Sequence, residues 1–349
     1  MTPPSTNRVA VYHSNRDIRL GTQAMPVIGP GELLLQVHAS GICGSDLMEW
    51  YRRPRAPTVL GHEVAGSVVA VGEGMDRFAL GDRIVATHHV PCGVCRYCER
   101  GHETACDMLR HTAFDPGGFA EYVRLPAENV QRGALRLPSH VSDDAGAMVE
   151  PLGCVLRAQR RAGLTSGESV LVVGAGVSGS LHILAAKAKG ASPVFATDIQ
   201  PERRRFAARF GAERVFDAAD DVARLVRDEL GHGVDHAVVC TGAPAGIAQA
   251  LASIDHGGTV CFFAPMGPGE CYALPFDSVF WQRGVTLTSS YGAAPQDLGD
   301  ALESIASGRL DVTRLITHRL PLGEIRSGFE MMIAGGDCLK IIIDPRLDA

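Results

Sequence analysis

Residues 169–179 read SVLVVGAGVSG, a short apolar run that breaks into glycines and is followed by a helical pattern, SGSLHILAAKAKG. Gly174, Gly176 and Gly179 make G-x-G-x-x-G between a strand and a helix, the context that turns a weak motif into a dinucleotide fingerprint. Gly174 permits the tight turn, Gly176 lets a pyrophosphate approach the backbone, and Gly179 lets the helix pack against the strand. The helix N-terminus offers unpaired N–H groups to phosphate. Asp198 ends the next apolar run, where a carboxylate accepts the ribose hydroxyls and repels a 2′-phosphate, favouring NAD. Arg203, Arg204 and Arg205 follow closely and keep NADP open.

Downstream, strand-like runs at PVFAT, RVF, VDHAVVC, TVCFFA and VTLTSS are separated by amphipathic helical stretches. Continuous apolar strands between such helices predict a parallel sheet covered on both faces, and six strands fit an α/β doubly wound dinucleotide fold. Upstream, residues 32–130 alternate short apolar runs with glycine-rich turns and read as β-rich. The tail, from PQDLGDAL to KIIID, holds two helical patterns and a β-branched strand that can return to the first region. A length of 349 residues favours two domains or one inserted into another. Helical spacing begins near Pro151 and stops at Gly163.

Apolar residues make up 46% of the chain, and mean hydropathy is +0.06. No apolar run approaches the ~20 residues of a membrane span. The opening MTPPSTNRVAVYHSNRD lacks the pattern of a secretory leader, which predicts a cytoplasmic protein. Net charge is −6, so no basic footprint for nucleic acid exists.

Four of ten cysteines fall in PCGVCRYCERGHETAC, residues 91–106: Cys92, Cys95, Cys98 and Cys106, as C-x2-C-x2-C-x7-C. Four thiolates close a tetrahedron around Zn²⁺ at ~2.3 Å and leave no place for substrate, so this set reads as a structural clasp. The spacing departs from the ferredoxin cluster run. A catalytic zinc needs about three protein ligands and one open position. The candidates are Cys43 in GICGSD, His62 and Glu63 in GHE, and Glu150 in MVEPLG, with Asp46 poised to orient the His62 ring. Cys154, Cys240, Cys261, Cys271 and Cys338 read as buried thiols.

Taken together, GICGSD, GHEVAGSVVAVG, GDRI, the four-cysteine lobe, GGFAEYV, EPL, GAGVSG with Asp198, and VVCTG resemble the zinc-containing medium-chain dehydrogenase/reductase family of the alcohol dehydrogenase superfamily. The EPL is similar to the sorbitol/threonine dehydrogenase branch. The resemblance implies a GroES-like catalytic domain at 1–152, with a structural-zinc lobe near 91–107. It further implies a Rossmann NAD(P)-binding domain at 153–290 and a return to the catalytic domain at 291–349. By the same resemblance, Cys43 and His62 bind a catalytic zinc, which Glu63 and Glu150 ligate directly or through water. Gly174, Gly176, Val177, Gly179, Asp198, Arg203, Cys240 and Thr241 fall at the cofactor.

The implied reaction moves a hydride between NAD(P) and a secondary alcohol, such as a polyol, cyclitol, amino alcohol or sugar derivative, and gives the ketone. Ser45 would start the proton relay. The histidine that many relatives carry five residues after the zinc cysteine is Met48 here, so a ribose hydroxyl, water or Glu49 must stand in. The stretch LMEWYRRPR offers Glu49, Trp50 and Tyr51 to substrate, with Trp50 equally fit for buried packing, and Arg52, Arg53 or Arg55 to a substrate phosphate. A homodimer or homotetramer is expected. The alternatives are a simple alcohol or aldehyde dehydrogenase acting mainly as a reductase, and a zinc-stabilised nucleotide-binding regulator without turnover.

Overall fold

The computed structural model describes residues 4–348. The chain divides into two compact units: one ends at Gly153 and resumes at Gly292, and the other is Cys154–Tyr291.

The Cys154–Tyr291 unit is built on six parallel strands. Across the sheet they run Arg214–Asp217, Val194–Asp198, Val170–Val173, Val234–Val239, Ile254–Phe262 and Thr286–Ser289. That order reverses beside Val170–Val173, the switch point at which doubly wound sheets bind dinucleotides. Val170–Val173 is buried along its whole length, as an apolar run in a sheet covered on both faces must be. Leu171, Val173, Phe195, Ala237, Val239 and Val260 anchor the core. Helices Val177–Lys189, Pro201–Arg209, Val222–Leu230 and Pro244–Ser253 join the strands. The third is capped by Asp221, whose carboxylate accepts the Arg224 N–H, and stops at left-handed Gly231.

The interrupted unit holds a seven-stranded sheet whose path runs Ile316–Leu320, Lys340–Ile343, Leu33–Gly41, Glu63–Val71, Arg83–Thr87 and Ala134–Arg136, with Tyr122–Leu125 also paired to Leu33–Gly41. The returning strand Lys340–Ile343 pairs antiparallel with Leu33–Gly41, setting Ile342 opposite Gly41. Alternate residues of Leu33–Gly41 and Glu63–Val71 meet Ile84, Val123 and Leu125 in one core. A second sheet orders Asp17–Ala24, Thr6–Ser14 and Thr58–Val59. Among the described residues no helix is long and apolar enough to cross a membrane.

Candidate active site and dinucleotide loop

Antiparallel register does the first work of assembling the site. Gly41 lies opposite Glu63, so the chain leaving one strand and the chain entering the next converge there. Cys43 then caps a single helical turn, Gly44–Leu47: its sulfur accepts the Ser45 N–H at 3.5 Å, and Asp46 Oδ2 accepts the Cys43 N–H at 3.1 Å. This local closure aims the thiol at the start of Glu63–Val71. The ligand atoms of Cys43, His62 and Glu63 lie within 4.8 Å of one another.

Around these three, the partners are specific. His62 Nδ1 stands 3.5 Å from Asp46 Oδ1, which Arg52 Nη2 also reaches at 3.1 Å. Burial disfavours a charged His62, yet Asp46 and Cys43 outweigh it and hold the imidazole well above its ordinary value. Glu63 is fully buried, and Lys340, equally buried, ion-pairs with its Oε2 while donating to the Ile42 carbonyl at 3.0 Å. Glu63 Oε1 is buried without a hydrogen-bond partner. A thiol, an imidazole and an orphaned carboxylate oxygen gathered this closely fit the donor set zinc takes. Glu150, 8% exposed in the first turn of helix Val149–Arg161, stands outside this trio.

The Ser45 hydroxyl accepts from Arg52 Nη2 at 2.9 Å, and Arg52 Nε donates to the Ser45 carbonyl at 3.0 Å. Glu49 Oε1 accepts the Asn15 N–H at 2.9 Å. Trp50 is 45% exposed, so it does not serve as buried packing. Tyr51 carries the guanidinium groups of Arg52 and Arg55 over its ring, at 4.8 and 5.2 Å from the centroid. A cavity of about 480 Å³ reaches His62 and is walled by Arg52, Arg55, His88, His89, Arg110 and the 111–117 segment; Glu49, Trp50 and Tyr51 are not in its wall. His88 lies tilted against both His62 and His89, with ring centroids 4.8 and 3.6 Å away. Burial, then the charge of His62, pushes His89 down to about 4.

The four-cysteine lobe is a separate assembly. All four sulfurs lie within 4.8 Å of one another, yet Cys95 and Cys98 are 3.5 Å apart and Cys92 and Cys98 3.9 Å, far beyond the ~2.05 Å of a disulfide. Backbone N–H groups of Val94 and Cys95 point at Cys92 Sγ, at 3.5 and 3.3 Å, and the first of these leads in drawing that thiol down to about 6. Within the same set, burial and then the Cys95 thiol push Cys98 up to about 12, so the four share their protons unequally until a structural zinc takes all of them as thiolates. Cys271, by contrast, is exposed rather than buried, because the 267–275 stretch carries neither helix nor strand.

In the other unit Gly174 adopts φ +92°, open to glycine at little cost, and a side chain at Gly179 would overlap the Gly174 carbonyl. Val177 opens the helix Val177–Lys189. Asp198, 6% exposed, accepts the Ala175 N–H through Oδ2 and the Gln200 N–H through Oδ1, both at 2.8 Å. Arg204 is committed to Asp217 at 2.9 Å and Arg205 to Glu202 at 3.6 Å. Arg203 instead turns toward the loop, its Nη1 3.4 Å from where a Gly176 side chain would begin and its Nε buried without a hydrogen-bond partner. Cys240 N–H bonds the Val173 carbonyl at 2.8 Å, and Thr241 Oγ1 accepts the Ala243 N–H at 3.2 Å. Glycines, Asp198, Arg203, Cys240 and Thr241 thus belong to one end of the same sheet.

Lys340 and the histidine pair were not singled out from the sequence. Lys340 is 277 residues from Glu63 and opens an otherwise apolar strand. A lysine leading KIII at a chain's returning strand was the available signal.

Two family models match the chain: "Alcohol dehydrogenase GroES-like domain" over residues 29–138 and "Zinc-binding dehydrogenase" over residues 178–307. The L-threonine 3-dehydrogenase of Idiomarina loihiensis is 31% identical over 332 residues, spanning 93% of this chain and 95% of that protein. The sorbitol dehydrogenase of Bacillus subtilis is 30% identical over 359 residues, spanning 99% of each. The crystal structure of 2R,3R-butanediol dehydrogenase from Bacillus subtilis superposes with a TM-score of 0.85 at 30% identity, covering 97% of this chain and 99% of that one. Matched end to end by such relatives, the chain belongs to the zinc-binding medium-chain dehydrogenases of the alcohol dehydrogenase superfamily, NAD(P)-dependent oxidoreductases acting on alcohols.

Proposed function

We propose that the interrupted unit is the catalytic domain, and Cys154–Tyr291 the dinucleotide domain, of a secondary-alcohol dehydrogenase that gives a ketone from a polyol, cyclitol, amino alcohol or sugar derivative. The observation that carries this reading is the convergence of Cys43, His62 and Glu63 within 4.8 Å beside a cavity that reaches His62. When bound, zinc supplies Lewis acidity to the substrate oxygen and the nicotinamide accepts the hydride.

The chain's own residues do the rest. Asp46 fixes the His62 ring, and Lys340 holds one oxygen of Glu63, leaving the other without a hydrogen-bond partner and so available to a metal. Ser45 accepts the substrate hydroxyl proton's hydrogen bond on its second lone pair, since Arg52 occupies the first. Because a guanidinium cannot take up a proton, the proton passes from Ser45 to water rather than to Arg52. Glu150 serves the site through water. Cys92, Cys95, Cys98 and Cys106 hold the structural zinc.

The Asp198 carboxylate supports NAD over NADP, with Arg204 and Arg205 spent on acidic partners and Arg203 directed at the phosphates. Ten free thiols, four of them clustered, support a reducing cytoplasm. The assembly is a homodimer or homotetramer.

The test is reduction of NAD⁺ and NADP⁺ over a panel of secondary alcohols, with zinc counted by elemental analysis. Cys43→Ser is expected to remove one of two zincs and lower turnover on the order of a thousandfold while NAD binding persists, because metal Lewis acidity is worth several kcal/mol. Cys95→Ser is expected to lower thermal stability instead. Equal behaviour of the two variants, or no turnover with two zincs bound, contradicts the reading and favours a non-catalytic regulator.

A further inference from the structure

The cavity that reaches His62 is walled by three arginines, Arg52, Arg55 and Arg110, against one acidic residue, Asp115. Arg124, outside the cavity wall, already holds the Asp115 carboxylate at 3.1 Å. Arg52 is likewise committed, to Asp46 at 3.1 Å and to Ser45. Arg55 and Arg110 are different: both are exposed, and neither has a carboxylate within ion-pair distance among the described residues. Arg55 is steadied by the Tyr51 ring at 5.2 Å. Stacking on an aromatic face leaves the edge of a guanidinium, with its forked N–H donors, free for an oxyanion.

Two unpaired guanidinium groups facing one concavity raise its potential and concentrate anions there. A neutral polyol can accept hydrogen bonds from these guanidinium groups but leaves their charge uncompensated, whereas an anion forms the stronger charge-assisted pairs. We propose that the substrate is an anionic secondary alcohol, its carboxylate or phosphate monoester held by Arg55 and Arg110 while its hydroxyl lies at His62 and Cys43. The proposal rests on the reading of Cys43, His62 and Glu63 as the catalytic metal centre.

The test uses the holoenzyme, with two zincs verified, on matched pairs: butan-2-ol against 3-hydroxybutyrate, and sorbitol against sorbitol 6-phosphate. The anionic member of at least one pair is expected to show kcat/KM higher by tenfold or more, the effect of about 1.4 kcal/mol. Raising ionic strength from about 0.02 to 0.5 M is expected to narrow that advantage. Which pair responds distinguishes carboxylate from phosphate. Calorimetric titration with inorganic phosphate and with 3-hydroxybutyrate, in wild type and in the Arg55→Gln/Arg110→Gln double variant, reads anion binding without turnover. Weakening of about tenfold in the variant is expected.

Turnover of the neutral members as efficiently as both anionic ones overturns the proposal and leaves the dehydrogenase assignment intact. Absence of turnover on every alcohol defeats that assignment instead, and the titration then decides the anion site alone: equal binding by wild type and variant overturns it.

Discussion

Replacing Lys340 by methionine would leave the Glu63 carboxylate in a fully buried position with its cation gone. An ion pair of this kind adds little net stability when intact, because desolvation offsets the Coulomb attraction, but breaking it strands a charge at a cost of about 3–5 kcal/mol. Lys340→Met is therefore expected to lower the urea midpoint strongly in zinc-stripped protein. Loading zinc should recover part of the loss, since the metal gives Glu63 a new counter-charge. An unchanged midpoint in the stripped variant would show that Glu63 is not charged in the folded protein. The same geometry explains Gly41, where a side chain would run into both Glu63 and Lys340.

At the scale of elements, the short helix Asp143–Ala147 illustrates a charge placed by fold and read through pH. Ser142 caps it, and Asp143 in its first turn meets His38 at 3.1 Å and Arg83 at 2.9 Å. Burial alone would raise the Asp143 carboxyl, but His38 and Arg83 overcome it and bring it down to about 2. A folded-state value below the unfolded one means the unfolded chain binds the proton first on acidification. The stabilisation is thus complete above about pH 4 and disappears as pH falls toward 2. Asp143→Asn is expected to cost roughly 1–2 kcal/mol at pH 7. The gap from wild type, measured by urea unfolding, should hold to pH 5 and narrow below 4; a gap independent of pH would assign the loss to packing. Elements also set what could be read from sequence. The buried parallel strands were legible because their apolar runs need no partner to be recognised. Asp17–Ala24 was not, being mostly polar and exposed, nor was Ile316–Leu320, whose Thr317, His318 and Arg319 interrupt the apolar pattern. Cys43, His62 and the four clustered cysteines stood out by spacing and glycine context. Lys340, Arg110 and the His88–His89 pair join the site through tertiary contacts alone, which no local spacing encodes.

For the whole molecule, the open question set by the fold is what covers the outer edge of the six-stranded sheet. Thr286–Ser289 is the last strand in its order, so one row of its backbone groups has no neighbour in the sheet. The strand is only four residues long, and neither charge nor proline, which often blunt such edges, lies within TLTS. Beside it in sequence, the Asp277–Trp281 turn and its approach present Phe276 at 72% and Trp281 at 82% exposure. Aromatic rings at that exposure next to a bare edge are what a self-complementary contact needs, and two-fold symmetry lets the same strand and the same rings serve both copies. A second copy of this chain is the expected occupant. Light scattering coupled to gel filtration should find wild type as a dimer or larger, and Phe276→Ser/Trp281→Asp shifted to monomer with its far-UV spectrum and zinc content retained. Since Cys43, His62 and the four clasp cysteines all belong to the other unit, that dissociation should leave zinc bound at both sites. A wild type that elutes as monomer, or a double variant that stays assembled, would place the interface elsewhere.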